Sequence, residues 1–399
     1  MERSHDASAH SILAGIVAAL VGYTGAFAVV LAGLRGVGAS PSQAASGLLA
    51  VAAMAGLCTL LLTRRHRIPI LIAWSTPGAA LLASTGAVHG GWPTAIGAFL
   101  ITGALIMLTG LWPRLGALIA AVPVPIAQAM LAGVVLELCL KPVKGFVAHP
   151  WEVGPILLTW LTLVRLAPKW AVPAAFAVAL LVIGIDAGDH GAVHGSLLPH
   201  VSWTAPRFTW TGLLSLALPL YVVTMAGQNI PGTAILATYG YRVPWRESMT
   251  VTGAGTIVGA LAGGHAVNLA AISASLVAAP HAEPDRDKRW TAAMSAGWAF
   301  LALALFSSAL TTFVSVAPAD VVGSVAGLAL LGTLAASLGG ALRAEHGREA
   351  AAITFVIAAS GVTFLSIGAA FWALLAGLAV RAALHRQAPS TEPVDDERT

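Results

Sequence analysis

From Ser11 to Leu34 the chain carries no charged residue, and apolar runs of this kind follow one another almost to its C-terminus. A helix needs about 20 mostly apolar residues to cross a bilayer, where backbone groups must find their hydrogen bonds within the protein. Runs bounded by charge or by Pro and Gly fall at 11–34, 42–62, 69–85, 91–110, 118–140, 151–166, 170–186, 209–239, 247–264, 266–280, 290–313, 318–340, 349–366 and 368–384. The expectation is an all-α polytopic membrane protein with about 14 transmembrane segments. The first run is longer than the roughly 7–15 apolar residues of a signal-peptide core, so it reads as a retained span.

Charge placement tests this division. Lys and Arg collect on the cytoplasmic side of membrane proteins. With the N-terminus inside, all of the 21 Lys and Arg except Arg35, Lys141, Lys144 and Arg207 fall in cytoplasmic segments. Both termini are therefore expected in the cytoplasm. The basic residues sit singly or in small clusters, which gives no sign of a nucleic-acid partner. Cys58 and Cys139 lie inside apolar runs, so no disulfide is expected.

The polar stretch Ala187 to Arg207 divides the chain into two groups of seven spans. An odd number per half inserts the second half upside down, the topology of a 7+7 inverted repeat. The expected organisation is a first repeat over 1–186, an external connection over 187–207, a second repeat over 208–385 and a disordered cytoplasmic tail over 386–399. The third span of each half, PILIAWSTPGAALLAS and HAVNLAAISASLVAAP, is apolar first, then Ser/Thr-bearing, then rich in Ala and Leu. Pro77 disfavours helix at Thr76 but suits the first turn of a helix that starts there. So Ile70–Trp74 is expected extended and Pro77–Ala87 a half-helix capped by a hydroxyl. In the second half, Ala266–Leu269 is expected extended and Ala271–Ala279 helical, with Ser273 near its start. Spans 3 and 10 are thus each broken into an extended stretch and a half-helix.

Non-helical backbone at membrane depth is tolerated where it is buried in protein or lines a water-filled cavity. Two half-helices from inverted repeats point their positive ends at one region, which suits a small anion such as a carboxylate. Gln228 and Asn229 stand in the middle of the eighth run beside Gly227, Pro231 and Gly232, residues that loosen a helix and let backbones approach. Tyr23 is their approximate counterpart in the first span. Gly255, Gly259 and Gly263 leave one face of the ninth span bare for helix packing. His190, His194 and His200 with Asp186 and Asp189 lack the tight spacing of a metal site, and no cofactor is expected. Glu137 and Asp186 lie near span ends and are the candidates for proton coupling.

IAWSTPGAALLA (72–83), LPLYVVTMAGQNIPG (218–232) and GGHAVNLAAISASL (263–276), in this order and at this spacing, resemble the signatures of the benzoate:proton symporter (BenE) family. That family is similar to the seven-plus-seven inverted-repeat transporters, which include nucleobase carriers and the sulfate-permease type. The resemblance implies a core domain of spans 1–4 and 8–11, a gate domain of spans 5–7 and 12–14, and a substrate held between the half-helices beside span 8. By position it assigns binding to Ser75, Thr76, Gln228, Asn229 and Asn268, to which Tyr23, Trp74 and Ser273 are added from the reading above. The nucleobase relatives carry acidic residues in spans 8 and 10, where this chain has Gln228, Asn229, Val267 and Asn268. A carboxylate there would repel an anion.

The expected function is a secondary transporter of the cytoplasmic (inner) membrane, not an enzyme. It imports a benzoate-like aromatic carboxylate with protons by alternating access. The alternative is an exchanger or channel-like carrier of another organic or inorganic anion. The partners implied are the small carboxylate, protons, the lipid bilayer and, from relatives of this fold, a second copy of the chain in a homodimer.

Overall fold

The computed structural model describes residues 2–190, 197–271, 273–343 and 347–385, with side chains over 9–185, 197–271, 273–318, 320–343 and 347–384. α1 (Glu2–Gly36) and α2 (Pro41–His66) lead into a three-residue strand, β1 (Ile72–Trp74), and a short helix, α3 (Thr76–Thr85). α4 (Gly91–Leu111), α5 (Pro113–Ala120), α6 (Val124–Ala148), α7 (Pro150–Leu166) and α8 (Ala171–His190) follow. The second half opens with α9 (Trp210–Thr238) and α10 (Trp245–Ala260), then β2 (Val267–Leu269) and α11 (Ala274–Ala278). It closes with α12 (Trp290–Leu305), α13 (Ser307–Ser315), α14 (Ala319–Leu342), α15 (Arg348–Ala359) and α16 (Ala369–His385). Among the described residues, 7 helices are long and apolar enough to cross a membrane, or 8 if α12 and α13, bent by 49° at their junction, count as one span. α6 packs along α14 and α15, α10 against α4 and α2, and α12 against α1 and α2.

Several expected segments are drawn differently. The run 118–140 is not one helix: α5 ends at Ala120, Pro123 and Pro125 supply no N–H to continue it, and α6 extends to Ala148. Pro142 stays inside α6 because Gly327 of α14 makes room, a Cβ there falling 2.5 Å from Pro142 Cδ. The run 349–366 ends as helix at Ala359, where positive φ at Gly361, Leu365 and Ser366 turns the chain into a loop closed by the Phe364–Ile367 bridge. That loop reaches α9: Ser215 Oγ accepts from Gly368 N (3.1 Å) and donates to Ser366 O (3.4 Å). Within α9, Leu218 N bonds Leu213 O and Ile230 N bonds Met225 O, two π-turns. Each directly precedes a proline, Pro219 or Pro231. A proline ring crowds the carbonyl four residues back, and widening the turn relieves it.

β1 and β2 pair antiparallel, with Ile72 opposite Leu269, Ala73 opposite Asn268 and Trp74 opposite Val267. Strands this short cannot satisfy their outer edges, and neighbouring helices do so. Thr59 Oγ1 of α2 accepts from Ile72 N (2.9 Å), and Thr256 Oγ1 of α10 accepts from Val267 N (3.1 Å). Ser75 N donates to Ala266 O and Ala270 N to Leu71 O, both at 2.9 Å, which extends the ladder at each end.

The bare face of α10 packs on α2. A Cβ on Gly255 falls 2.6 Å from Cys58 Sγ and one on Gly259 falls 3.1 Å from Met54 Cγ. Cys58 and Cys139 are both buried and free. His194, the tail 386–399 and the side chains of Asp186, Asp189 and His190 lie outside the described residues; His200 Nε2 meets Ser42 Oγ at 2.7 Å. Overpacking of a close helix pair costs about 1–3 kcal/mol. Gly255→Ala is therefore expected to lower the thermal unfolding temperature of the detergent-solubilised protein. Gly339→Ala, which meets nothing within 4 Å, is expected to leave it unchanged or raise it.

Candidate functional site

Where the strands give way to their short helices the structure forms a partly open cavity of ≈ 390 Å³, within the roughly 300–1,000 Å³ of small-molecule sites. Its wall is chiefly apolar. Gly22 and Gly25 of α1, Trp74 of β1, Phe300 of α12 and Ala329 of α14 contribute to it, and Thr76, Gln228, Ser273 and Thr333 supply polar groups. Lys169, in the turn Pro168–Trp170 before α8, is the cation among the lining residues.

α3 starts as its sequence dictates. Ser75 is the N-cap, its Oγ accepting from Gly78 N at 3.1 Å, with Pro77 in the first turn. Thr224 of α9 donates to the same Oγ at 2.8 Å. α11 is built less strongly: it has five residues, and Ser273 makes no side-chain cap bond. The amide of Ala271, ahead of it, donates instead to Gln228 Oε1 at 3.3 Å. Asn229 Oδ1 accepts from Leu269 N at 2.9 Å and its Nδ2 donates to Met225 Sδ at 3.1 Å. Asn268 Nδ2 donates to Leu269 O at 2.8 Å, while its Oδ1 is buried without a partner.

The candidate residues therefore separate into two layers. Trp74, Thr76, Gln228 and Ser273 line the cavity. Ser75, Asn229 and Asn268 stand behind the wall, buried, with their polar groups largely committed to protein backbone. Tyr23 also lies behind it, 1% exposed; its hydroxyl meets Ser307 Oγ at 3.1 Å and its ring packs edge-on against Trp74 at 5.7 Å. Trp74 in turn meets Phe300 at 5.6 Å. Glu137 is on an exposed face of α6, away from the cavity lining. The side chain of Asp186 lies outside the described residues.

Two residues escaped the sequence reading. Lys169 was one of many loop cations, and nothing local in the sequence brings it to the cavity; its Nζ lies 3.5 Å from His281 Nε2. Burial, and then the charges of Lys169, His10 and Arg289, hold the His281 imidazole below the usual histidine range. At neutral pH it stays uncharged and accepts from the lysine. The other is His265, 1% exposed, with neither ring nitrogen hydrogen-bonded. Its signal was its place within the Gly-Gly-His-Ala-Val-Asn stretch that leads into β2.

The BenE family, described as benzoate membrane transport protein, matches residues 5–383. Inner membrane protein YdcO of Escherichia coli (strain K12) is 39% identical over 370 residues, covering 92% of this chain and 94% of that protein. The benzoate membrane transport protein of Acinetobacter baylyi (strain ATCC 33305 / BD413 / ADP1) is 29% identical over 383 residues, 94% of each chain. Among solved structures, the transmembrane domain of the cyanobacterial bicarbonate transporter BicA superposes with a TM-score of 0.60 at 13% identity, covering 93% of this chain and 96% of that one. SLC26A9 superposes with a TM-score of 0.66 at 12% identity, over 94% of this chain and 65% of that chain. The fold is thus that of the SLC26-type inverted-repeat transporters.

Ser75 ties α3 to α9. Ser75→Ala is expected to cost about 1 kcal/mol as a lost N-cap, and Thr224→Val about the same as a lost hydrogen bond. Because they share one contact, the double variant is expected to lose less than the sum in thermal unfolding; full additivity would mean that the two hydroxyls act independently.

Proposed function

The chain belongs to the BenE family, and on that premise we propose that it imports a benzoate-like aromatic carboxylate with protons by alternating access. That it is a multi-pass membrane transport protein, and not an enzyme, follows from the family. The observation that carries the finer reading is the cavity itself. An aromatic ring fits a wall made of Trp74, Phe300 and the glycines of α1, since aromatic pairs favour edge-on and offset contacts. The carboxylate meets Thr76, Ser273 and the amide nitrogen of Gln228, whose oxygen is held by Ala271 N. The first amides of α3 add partial positive charge, and Lys169 attracts the anion at the cavity edge.

In the proposed cycle α1–α4 and α9–α13 form the core body that carries β1 and β2, and α5–α8 and α14–α16 form the gate. The N- and C-termini are cytoplasmic, the membrane is the bacterial inner membrane, and the protein works as a homodimer. A second reading, exchange or channel-like passage of another anion, draws on the fold neighbours, a bicarbonate transporter and an anion transporter. Uptake of radiolabelled benzoate into proteoliposomes, with the outside more acid than the lumen, separates them. Accumulation driven by the gradient is expected; uptake indifferent to it, or displaced by bicarbonate rather than aromatic acids, favours the second reading.

Trp74→Ala is expected to raise the benzoate KM by about tenfold or more, from the loss of roughly 1.5–3 kcal/mol of apolar contact. Acetate, which has no ring, is expected to compete no worse in the variant than in the parent. Equal losses for both ligands would mean that Trp74 supports the fold rather than the ring.

A further inference from the structure

Among the described residues, the buried side chains that bear an imidazole, carboxyl or guanidinium group are His265, Glu283 and Arg289. Glu283 and Arg289 belong to the turn after α11, where Arg289 donates to Glu283 O (2.7 Å) and Ala278 O (3.0 Å). His265 differs from both. It lies at the end of the Gly263–Gly264 turn that takes the chain from α10 into β2, and neither of its ring nitrogens has a hydrogen-bond partner. Burying an unpaired polar group is costly, and each such group in a native structure calls for an explanation.

The ring meets Phe99 of α4 edge-on at 6.4 Å. Ala50 and Val51 of α2 and the Gly259 carbonyl of α10 surround the adjacent Gly264, and Trp92 of α4 and the Gln43 carbonyl of α2 surround Gly263. The titratable group on the face of α2 packed against α10 is Cys58, whose thiol donates to Val251 O at 3.6 Å. The backbone of Ala266 is the polar group nearest to forming a hydrogen bond with the ring, although it falls short of one. Ala266 O in turn accepts from Ser75 N, the cap of α3. Asn268, with its unpartnered Oδ1, follows three residues later, roughly 10 Å along an extended chain. His265 does not line the cavity, so its influence on a bound anion is through charge.

We propose that His265 carries the coupling proton, an inference that rests on the proton-coupled reading above. The step is protonation of the neutral imidazole by water from the acid side and its return to water on the other side; no other bond forms or breaks. A carboxylate bound alone, or an imidazolium alone, leaves an uncompensated charge inside the membrane, which is expensive. The two together cancel, as do their joint absences, so only the doubly loaded and the empty protein cross readily. Glu137 is exposed on α6, and the ionisable group of the cavity lining is the Lys169 amine, which reaches out to His281.

The test is His265→Gln in proteoliposomes, read by two assays. Equilibrium binding of benzoate at alkaline pH involves neither movement nor a proton on the imidazole, and its Kd is expected to stay within about threefold of the parent's. Gradient-driven accumulation, worth about tenfold per pH unit for one proton, is expected to vanish. A variant that accumulates benzoate like the parent overturns the assignment to His265, whereas a parent that accumulates none under the gradient overturns the proton-coupled reading itself. Should the variant fail to bind benzoate as well, substrate-induced infrared difference spectra of the parent decide: imidazolium bands that appear with benzoate sustain the proposal, and their absence ends it.

Discussion

Two three-residue strands inside a bilayer must find partners for every amide and carbonyl that a helix would have satisfied by itself. The rest of this structure is arranged around that demand. β1 and β2 answer part of it by pairing with each other, although they come from opposite halves of the chain. Thr59 and Thr256 answer another part from equivalent places on α2 and α10. Asn229 and Gln228 close the account at Leu269 and Ala271. The glycine face of α10 is what allows α2 to come close enough for these bonds to share one region.

The two halves meet this demand unequally, and the inequality shapes the cavity. α3 has a serine cap, a proline in its first turn and ten residues. α11 has five residues and no side-chain cap. A helix that short contributes little aligned dipole, so on its side a glutamine replaces the missing order. On the proposed reading an anion would meet backbone on one half and side chains on the other, within a wall that includes the aromatic residues Trp74 and Phe300.

Much of this was legible in the sequence. Pro77 after Ser75 and Thr76 marked where α3 begins, and the apolar stretch before it marked β1, because proline's missing donor and its steric demand act locally. The fold class followed from run lengths, and the family resemblance from three motifs. The π-turns of α9 were not legible, although Gly227, Pro231 and Gly232 signalled some loosening: whether a proline kinks, breaks or widens a helix depends on its neighbours in space. The early end of α15 was hidden because Ser360 to Ser366 is apolar enough to pass for helix. The division of the candidate residues into a lining and a supporting layer was equally hidden, since Gln228 and Asn229 are adjacent and equally polar, and only their angle on the helix separates them. His265 looked like part of a motif; its isolation is a property of the packing of α2, α4 and α10.

The contact of Ser215 with the loop between α15 and α16 has a thermodynamic meaning. Two hydrogen bonds, each worth about 0.5–1.5 kcal/mol net, join α9 to that loop. On the proposed division into core and gate, α9 belongs to one body and that loop to the other, so this pair of hydrogen bonds must open and re-form in every cycle. Bonds of this size are exchanged at little cost, and the loop then acts as a latch rather than a weld.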